Sequence, residues 1–158
     1  MDRKGNKQEK AFLIGAVLSR EGRVNIEEQF EELQALARAA GALTVGSSLQ
    51  NRQKQDPSTF IGKGKAETIV NQAKELNCDL IIFNNDISPT QLKNLQKLAE
   101  EETKIIDRSG LIIDIFKQHA QTKEAKTQVE LARLEYLLPR LTRQWTHLER
   151  QTGGIGTR

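Results

Sequence analysis

Asp79-Leu80-Ile81-Ile82-Phe83 is apolar throughout after its first residue, and five residues later Ser88-Pro89 opens a helical pattern. A run with no polar alternation must be covered on both faces, as strands are in a parallel sheet with helices on either side. The proline falls in the first turn, where a missing N–H costs nothing, and Leu92, Leu95 and Leu98 follow along one stripe. Downstream, Lys104 to Asp107 reads as another strand, and Gly110 to Phe116 begins a helix. Upstream, Lys65 to Leu76 is helical, with Ile69, Ala73 and Leu76 on one side, and Leu43 to Leu49 is a strand. Before that, a helix opens at Asn25 or Ile26, carries Phe30, Leu33, Leu36, Ala37 and Ala40, and is stopped by Gly41. Phe12 to Ser19 is a further continuous apolar run. The order βαβαβαβα with short connections predicts an α/β fold, a four-stranded parallel sheet flanked by helices. Such sheets bind ligands beyond the carboxyl ends of their strands, so one reading is a stand-alone α/β protein holding a nucleotide or small metabolite there.

From about Gln121 to Arg150 the pattern changes. Leu131, Leu134, Leu138, Leu141, Trp145 and Leu148 are spaced 3, 4, 3, 4, 3. That is a heptad seam, so a long helix forming half of a coiled-coil arm follows the sheet. Thirty helical residues extend roughly 45 Å, more than a helix needs to cap a small sheet. Pro139 sits off the seam and is expected to bend the helix. Gly153-Gly154-Ile155-Gly156 then reads as a turn at which the arm is cut off. The chain divides accordingly into a flexible tail (1–10), an α/β subdomain (11–116), and the first helix and tip loop of a truncated arm (117–158).

The composition of the 158 residues, 37% hydrophobic and 28% charged, is that of a globular protein. The longest apolar run, Ala11 to Leu18, falls short of the roughly 20 residues that span a bilayer. MDRKGNKQEK has no apolar stretch behind its basic residues, which excludes a secretory signal. A single cysteine, Cys78, excludes a disulfide framework. A soluble, cytoplasmic protein with no membrane span is expected. The net charge of +3 is uneven: residues 1–116 hold 16 basic and 17 acidic side chains, residues 117–158 hold 8 and 4. The excess sits in the last quarter, where it either solvates a helix face or attracts an anionic partner.

Catalytic patterns are weak. Phe60-Ile61-Gly62-Lys63-Gly64-Lys65 invites a phosphate-loop reading, but Thr59 and Ala66 stand where G-x-x-x-x-G-K-[ST] needs Gly and Ser or Thr. A flexible basic loop before a helix accounts for it better. His119 and His147, the two histidines, are 28 positions apart on helical stretches, too far to share a metal. Cys78 reads as inert packing, and Asp86, Asp107 and Asp114 near strand ends read as helix caps. The terminal WTHLERQTGGIGTR is different, combining arginines, an aromatic and a glycine-rich turn. Arginine offers bidentate donors to phosphate, and a loop on a helical arm suits structured RNA.

Phe60 to Lys65, Ile105-Ile106-Asp107-Arg108, Ile113-Asp114-Ile115-Phe116, Thr122 to Lys126, Gln128 to Ala132, and Trp145 to Gln151 with Gly153-Gly154-Ile155-Gly156 together resemble the amino-terminal half of HflX-type GTPases. The resemblance covers nearly the whole chain after its first ten residues. It implies an α/β subdomain, a two-helix arm and a Ras-like GTP-binding domain. It also implies binding to the large ribosomal subunit, with the arm tip near the peptidyl-transferase centre, and a role in separating stalled or stressed ribosomes. Ribosomal RNA contacts are then expected at Arg140, Arg143, Arg150, Gly153, Gly154, Gly156 and Arg158. The implied partners are the large subunit and, in cis, the second arm helix and the G domain; the unpartnered seam itself leads to the further expectation that the arm frays or pairs with a second copy. GTP and Mg²⁺ are implied for the full-length family, whereas these 158 residues, having no Walker A loop, are expected to bind no cofactor or metal and to lack catalytic residues. The chain departs from the family at Arg158, where the motif would continue as GPGE, and at His119 and Gln121, where arginines are common.

Overall fold

Phe12, Ile14 and Ala16 point to one side of the first strand and Ala11 and Leu13 to the other, and all five are buried. A strand alternates its side chains, so this one needs a hydrophobic layer on each face, and the remaining elements supply both. The structure, a computed structural model, describes residues 7–17, 25–52 and 54–141. Its elements are β1 (Glu9–Val17), α1 (Ile26–Ala39), β2 (Ala42–Asn51), α2 (Lys63–Glu75), β3 (Leu80–Phe83), α3 (Pro89–Ala99), β4 (Lys104–Asp107), α4 (Arg108–His119) and α5 (Lys123–Leu137). A 3₁₀ turn follows at Leu138–Arg140.

The strands form one sheet in the order β2-β1-β3-β4, with every pairing parallel, as the alternation of elements predicted. Ile69 and Val70 of α2 and Leu92 and Leu95 of α3 cover Phe12, Ile14, Ile81 and Ile105 on one face. Leu33 and Ala37 of α1 and Leu111 of α4 cover Leu13, Leu80, Ile82 and Ile106 on the other. Because β1 is flanked by β2 and β3, the chain changes direction across the sheet between β1 and β3. That switch point is where open α/β sheets form crevices at their carboxyl ends.

Several boundaries differ from the sequence reading, each for a local reason. Strand β1 begins at Glu9 and takes in Lys10, which the division by sequence left in the tail; Lys10 N donates to Asp79 Oδ2 at 2.9 Å and locks the strand's start. Leu18 and Ser19 lie outside the described residues. Helix α2 starts at Lys63, so Lys63-Gly64-Lys65 is a first helical turn rather than a loop, with Gly62 preceding it at φ 82°. Helix α4 runs to His119, past the division at 116, and at its start the Asp107 side chain caps it by accepting from Gly110 N.

The arm helix is described as α5, capped by Thr122, whose side chain accepts from Ala125 N at 3.0 Å. Pro139 ends the α-helical run instead of only bending it: the next turn is 3₁₀ and Leu141 is extended. Proline lacks the N–H for a further bond, and its ring crowds the preceding carbonyl. Leu131, Leu134, Leu138 and Leu141 are 58%, 44%, 64% and 45% exposed, so the seam faces outward; Trp145 and Leu148 lie outside the described residues. Leu13→Ala, which empties a fully covered site, should lower unfolding free energy by about 2–5 kcal/mol in urea titrations. Leu131→Ala, on the open seam, should change it by no more than about 0.5 kcal/mol.

Candidate functional site

Of the residues predicted to meet RNA, Arg140 is described; Arg143, Arg150, Gly153, Gly154, Gly156 and Arg158 lie outside the described residues. Arg140 stands at the root of the arm, where α5 reaches the carboxyl edge of the sheet. The site is built on Asp107, the last residue of β4 and 1% exposed. A carboxylate taken out of water needs donors. Asp107 Oδ1 accepts from Gly110 N at 3.0 Å and from Tyr136 Oη at 2.6 Å, and Oδ2 accepts from Ile87 N at 3.1 Å.

Tyr136 lies on α5, four residues before Arg140, so the two share a helix face. The Arg140 guanidinium lies 3.9 Å from the centre of the Tyr136 ring. Its Nη1 donates to the Tyr136 carbonyl at 2.7 Å, and Nη2 reaches the Ile87 carbonyl at 3.4 Å. The side chain predicted to meet RNA is thus engaged with its own domain. Gly110 makes the close packing possible, since a Cβ there would fall 2.8 Å from Tyr136 Oη and from Ile106 Cγ1. Burial, reinforced by the charge of Asp107, pushes the Tyr136 hydroxyl far above the ordinary tyrosine range and keeps it a donor.

Beside this cluster, the loop after β3 closes the carboxyl edge with polar side chains bonded to one another. Arg108 donates to Asn84 Oδ1 at 2.9 Å and to Glu32 Oε2 at 3.1 Å. Asn84 Nδ2 donates to Gln29 Oε1 at 3.1 Å, and Ser109 Oγ donates to Asp86 Oδ1 at 3.0 Å. Asp107 caps α4 as the sequence suggested. Asp86 instead accepts from a side chain, and Asp114 lies along α4 near Lys104, whose ammonium burial pushes down against the opposing pull of Asp114 and Glu9.

The Gly62 segment is packed against a side chain of its own domain. The guanidinium of Arg52 occupies the space beside Gly62, 2.9 Å from where a Cβ would be, and donates to the Ile61 carbonyl. Among the described residues no group of three His, Cys, Asp or Glu is placed to hold a metal, and no helix is long and apolar enough to cross a membrane. On the outer side of the arm, Lys123, Lys126, Leu131 and Leu134 line an open groove. The Tyr136–Asp107 pairing was missed in the sequence; the one available signal was the chain's sole tyrosine, four residues before an arginine.

The sequence profile described as GTP-binding GTPase N-terminal matches residues 27–117, and the one described as GTP-binding GTPase Middle Region matches residues 119–158. The GTPase HflX of Alkalihalophilus pseudofirmus is 45% identical over 95% of this chain. The chain belongs to the HflX family of GTPases. HflX of Escherichia coli is 44% identical over 83% of the chain. The matched segments cover 35% and 30% of these two relatives, so the chain spans about a third of an HflX protein. A GTP-binding protein from the archaeon Sulfolobus solfataricus, solved in complex with GDP, superposes with a TM-score of 0.64 at 26% identity. That match covers 90% of this chain and 42% of the archaeal one. The junction between the two HflX profiles falls at the end of α4, before α5 begins.

Tyr136 is the only tyrosine, so tyrosinate absorbance reports this site alone. Its folded pKa is raised, so its contribution to stability is complete below the unfolded value of about 10 and is lost as pH rises above it. An alkaline titration followed at 295 nm should show tyrosinate appearing together with loss of helical circular dichroism. A free-tyrosine curve in the folded protein would contradict the burial.

Proposed function

We propose that the chain is the large-subunit-binding region of an HflX-type GTPase, and that the arm carries ribosomal RNA contacts at its tip. Family membership supports the reading, and one structural observation carries it: α5 is fastened at its root while its leucine stripe faces solvent. A helix with an open heptad stripe needs a second helix to cover it. In this reading that helix follows the tip loop, and the pair stands out from the sheet as an arm. Arg143, Arg150 and Arg158 then bond phosphates, which fixes position without reading sequence. Gly153, Gly154 and Gly156 let the backbone approach the RNA closely. Arg140, bonded to its own domain, holds the root of the arm instead of contacting RNA.

Ribosome rescue under stress, in the cytoplasm, is the process to which this machinery belongs. GTP and Mg²⁺ are held by the G domain of the full-length protein and supply the timing of attachment and release. The residues of this chain orient the arm and bind.

In a protein carrying the complete arm, replacing Arg143, Arg150 and Arg158 by alanine should flatten the salt dependence of log K for the large subunit by about 2, at roughly 0.7 per lost phosphate contact. Unchanged slope and affinity across a salt series would remove the arginines from the interface. The open stripe also supports self-association of the 158 residues. Sedimentation equilibrium should show a concentration-dependent rise in average mass that Leu131→Lys with Leu134→Lys abolishes. A monomer at all concentrations would exclude pairing along the seam.

A further inference from the structure

Within α5 only Leu137 is fully buried, while Ala125 and Val129 are half-buried, so the apolar contact that holds this helix is closest at its carboxyl-terminal end. Apolar packing is non-directional and would hold such a helix at many angles. The hydrogen bonds at its root are different in kind. Tyr136 Oη reaches Asp107 Oδ1 at 2.6 Å, and Arg140 Nη2 reaches the Ile87 carbonyl at 3.4 Å. Ile87 N in turn donates to Asp107 Oδ2 at 3.1 Å, so Ile87 is held from both sides of its own residue.

The loop that contains Ile87 is itself fixed to β1. Asn84 N donates to the Ile14 carbonyl at 2.7 Å, while Asn85 accepts from Ala16 N at 2.9 Å and donates to the Ala16 carbonyl at 3.1 Å. An unbroken set of bonds therefore joins the switch point between β1 and β3 to the end of the arm helix.

Two concessions are concentrated at this point. A carboxylate is buried there, and it is tolerable only because donors from three separate segments converge on it. Gly110, a poor helix former, stands in the first turn of α4, where the lack of a side chain admits the Tyr136 hydroxyl. Both fix geometry, since each ties α5 to one position on the sheet edge.

We propose that Asp107, Tyr136 and Arg140 are positioning residues for the arm: they set its angle to the sheet and make the arm and the loop 84–88 move as one unit. A displacement of the loop at the switch point tilts the arm, and a load on the arm is felt at the loop, because coupling between two sites is reciprocal.

The inference concerns direction and needs no RNA, so its failure is separate from failure of the ribosome reading. Spin labels on Lys93→Cys in α3 and Lys126→Cys in α5, both at exposed positions, are placed in the 158-residue chain with Cys78→Ala. The parent should give one narrow distance distribution by double electron–electron resonance. Tyr136→Phe, Arg140→Gln and Gly110→Ala should each shift it or roughly double its width, with helical circular dichroism unchanged. Tyr136→Phe, which does not touch Ile87, should also speed exchange of the Ile87 amide about tenfold. Should a hydrogen-bond variant fail to fold, Gly110→Ala decides, since it keeps both bonding groups and favours the helix. Parent-like distances and parent-like Ile87 exchange in folded variants would overturn the proposal. So would a broad distribution in the parent, or unfolding of all three variants, which would make the cluster a matter of stability alone.

Discussion

One buried carboxylate organises the carboxyl edge of this molecule. Asp107 ends β4 with its side chain out of water, a state that is tolerable only if donors surround it. The three it receives come from three separate segments, Ile87 in the loop after β3, Gly110 at the start of α4 and Tyr136 near the end of α5. The same oxygens therefore cap a helix, anchor a loop and fasten an arm. Charge-assisted bonds are shorter and more directional than neutral ones, so the demand of the carboxylate becomes a set of fixed positions. The sheet places Asp107, and Asp107 places what surrounds it.

The packing below that edge is simpler. Strands β1, β3 and β4 present side chains to two helical layers, and each layer is closed by two helices. This arrangement is why the short apolar runs were readable: Leu80 to Phe83 has no polar position to spare, and Lys104 to Asp107 has the bounds the sequence suggested. The helix at Pro89 was readable from its Ser-Pro start, and the structure gives it a capping box from Ser88 and Gln91. Helix α4 was read two residues short at its start because the cap, Asp107, also closes the preceding strand, leaving no spacer for a pattern to mark.

The candidate site was less legible for a physical reason. Tyr136 and Asp107 are 29 residues apart and Arg140 and Ile87 are 53 apart, and a side-chain bond across such a separation leaves no periodicity. Arg140 was chosen for its charge, yet its charge faces a ring and two carbonyls of its own domain. The Gly62–Lys65 segment misled in the opposite sense. Its glycines suggested a loop, whereas Gly62 supplies a left-handed residue before a helix and Arg52 fills the space beside it. The leucine seam was legible in register because its spacing is local, and its described members, Leu131, Leu134, Leu138 and Leu141, face solvent.

The topology also sets a timetable during synthesis. Strand β1 leaves the ribosome well before the residues that hold its far side, because Asp79 and Asn85 lie 69 positions behind Lys10 and Ala16. At about 5–20 residues per second, the nascent strand waits roughly 3–14 s before that partner has even been made. Pairing with β2 comes earlier but covers one edge, so Leu13 and Ile14 stay without their complete sheet through that interval. Contacts this far apart in sequence also slow the search for the native fold once the chain is complete. Strand β1 is therefore the strand that waits longest for its neighbours, and α5, made after the sheet, closes a domain that has already had to wait for its centre.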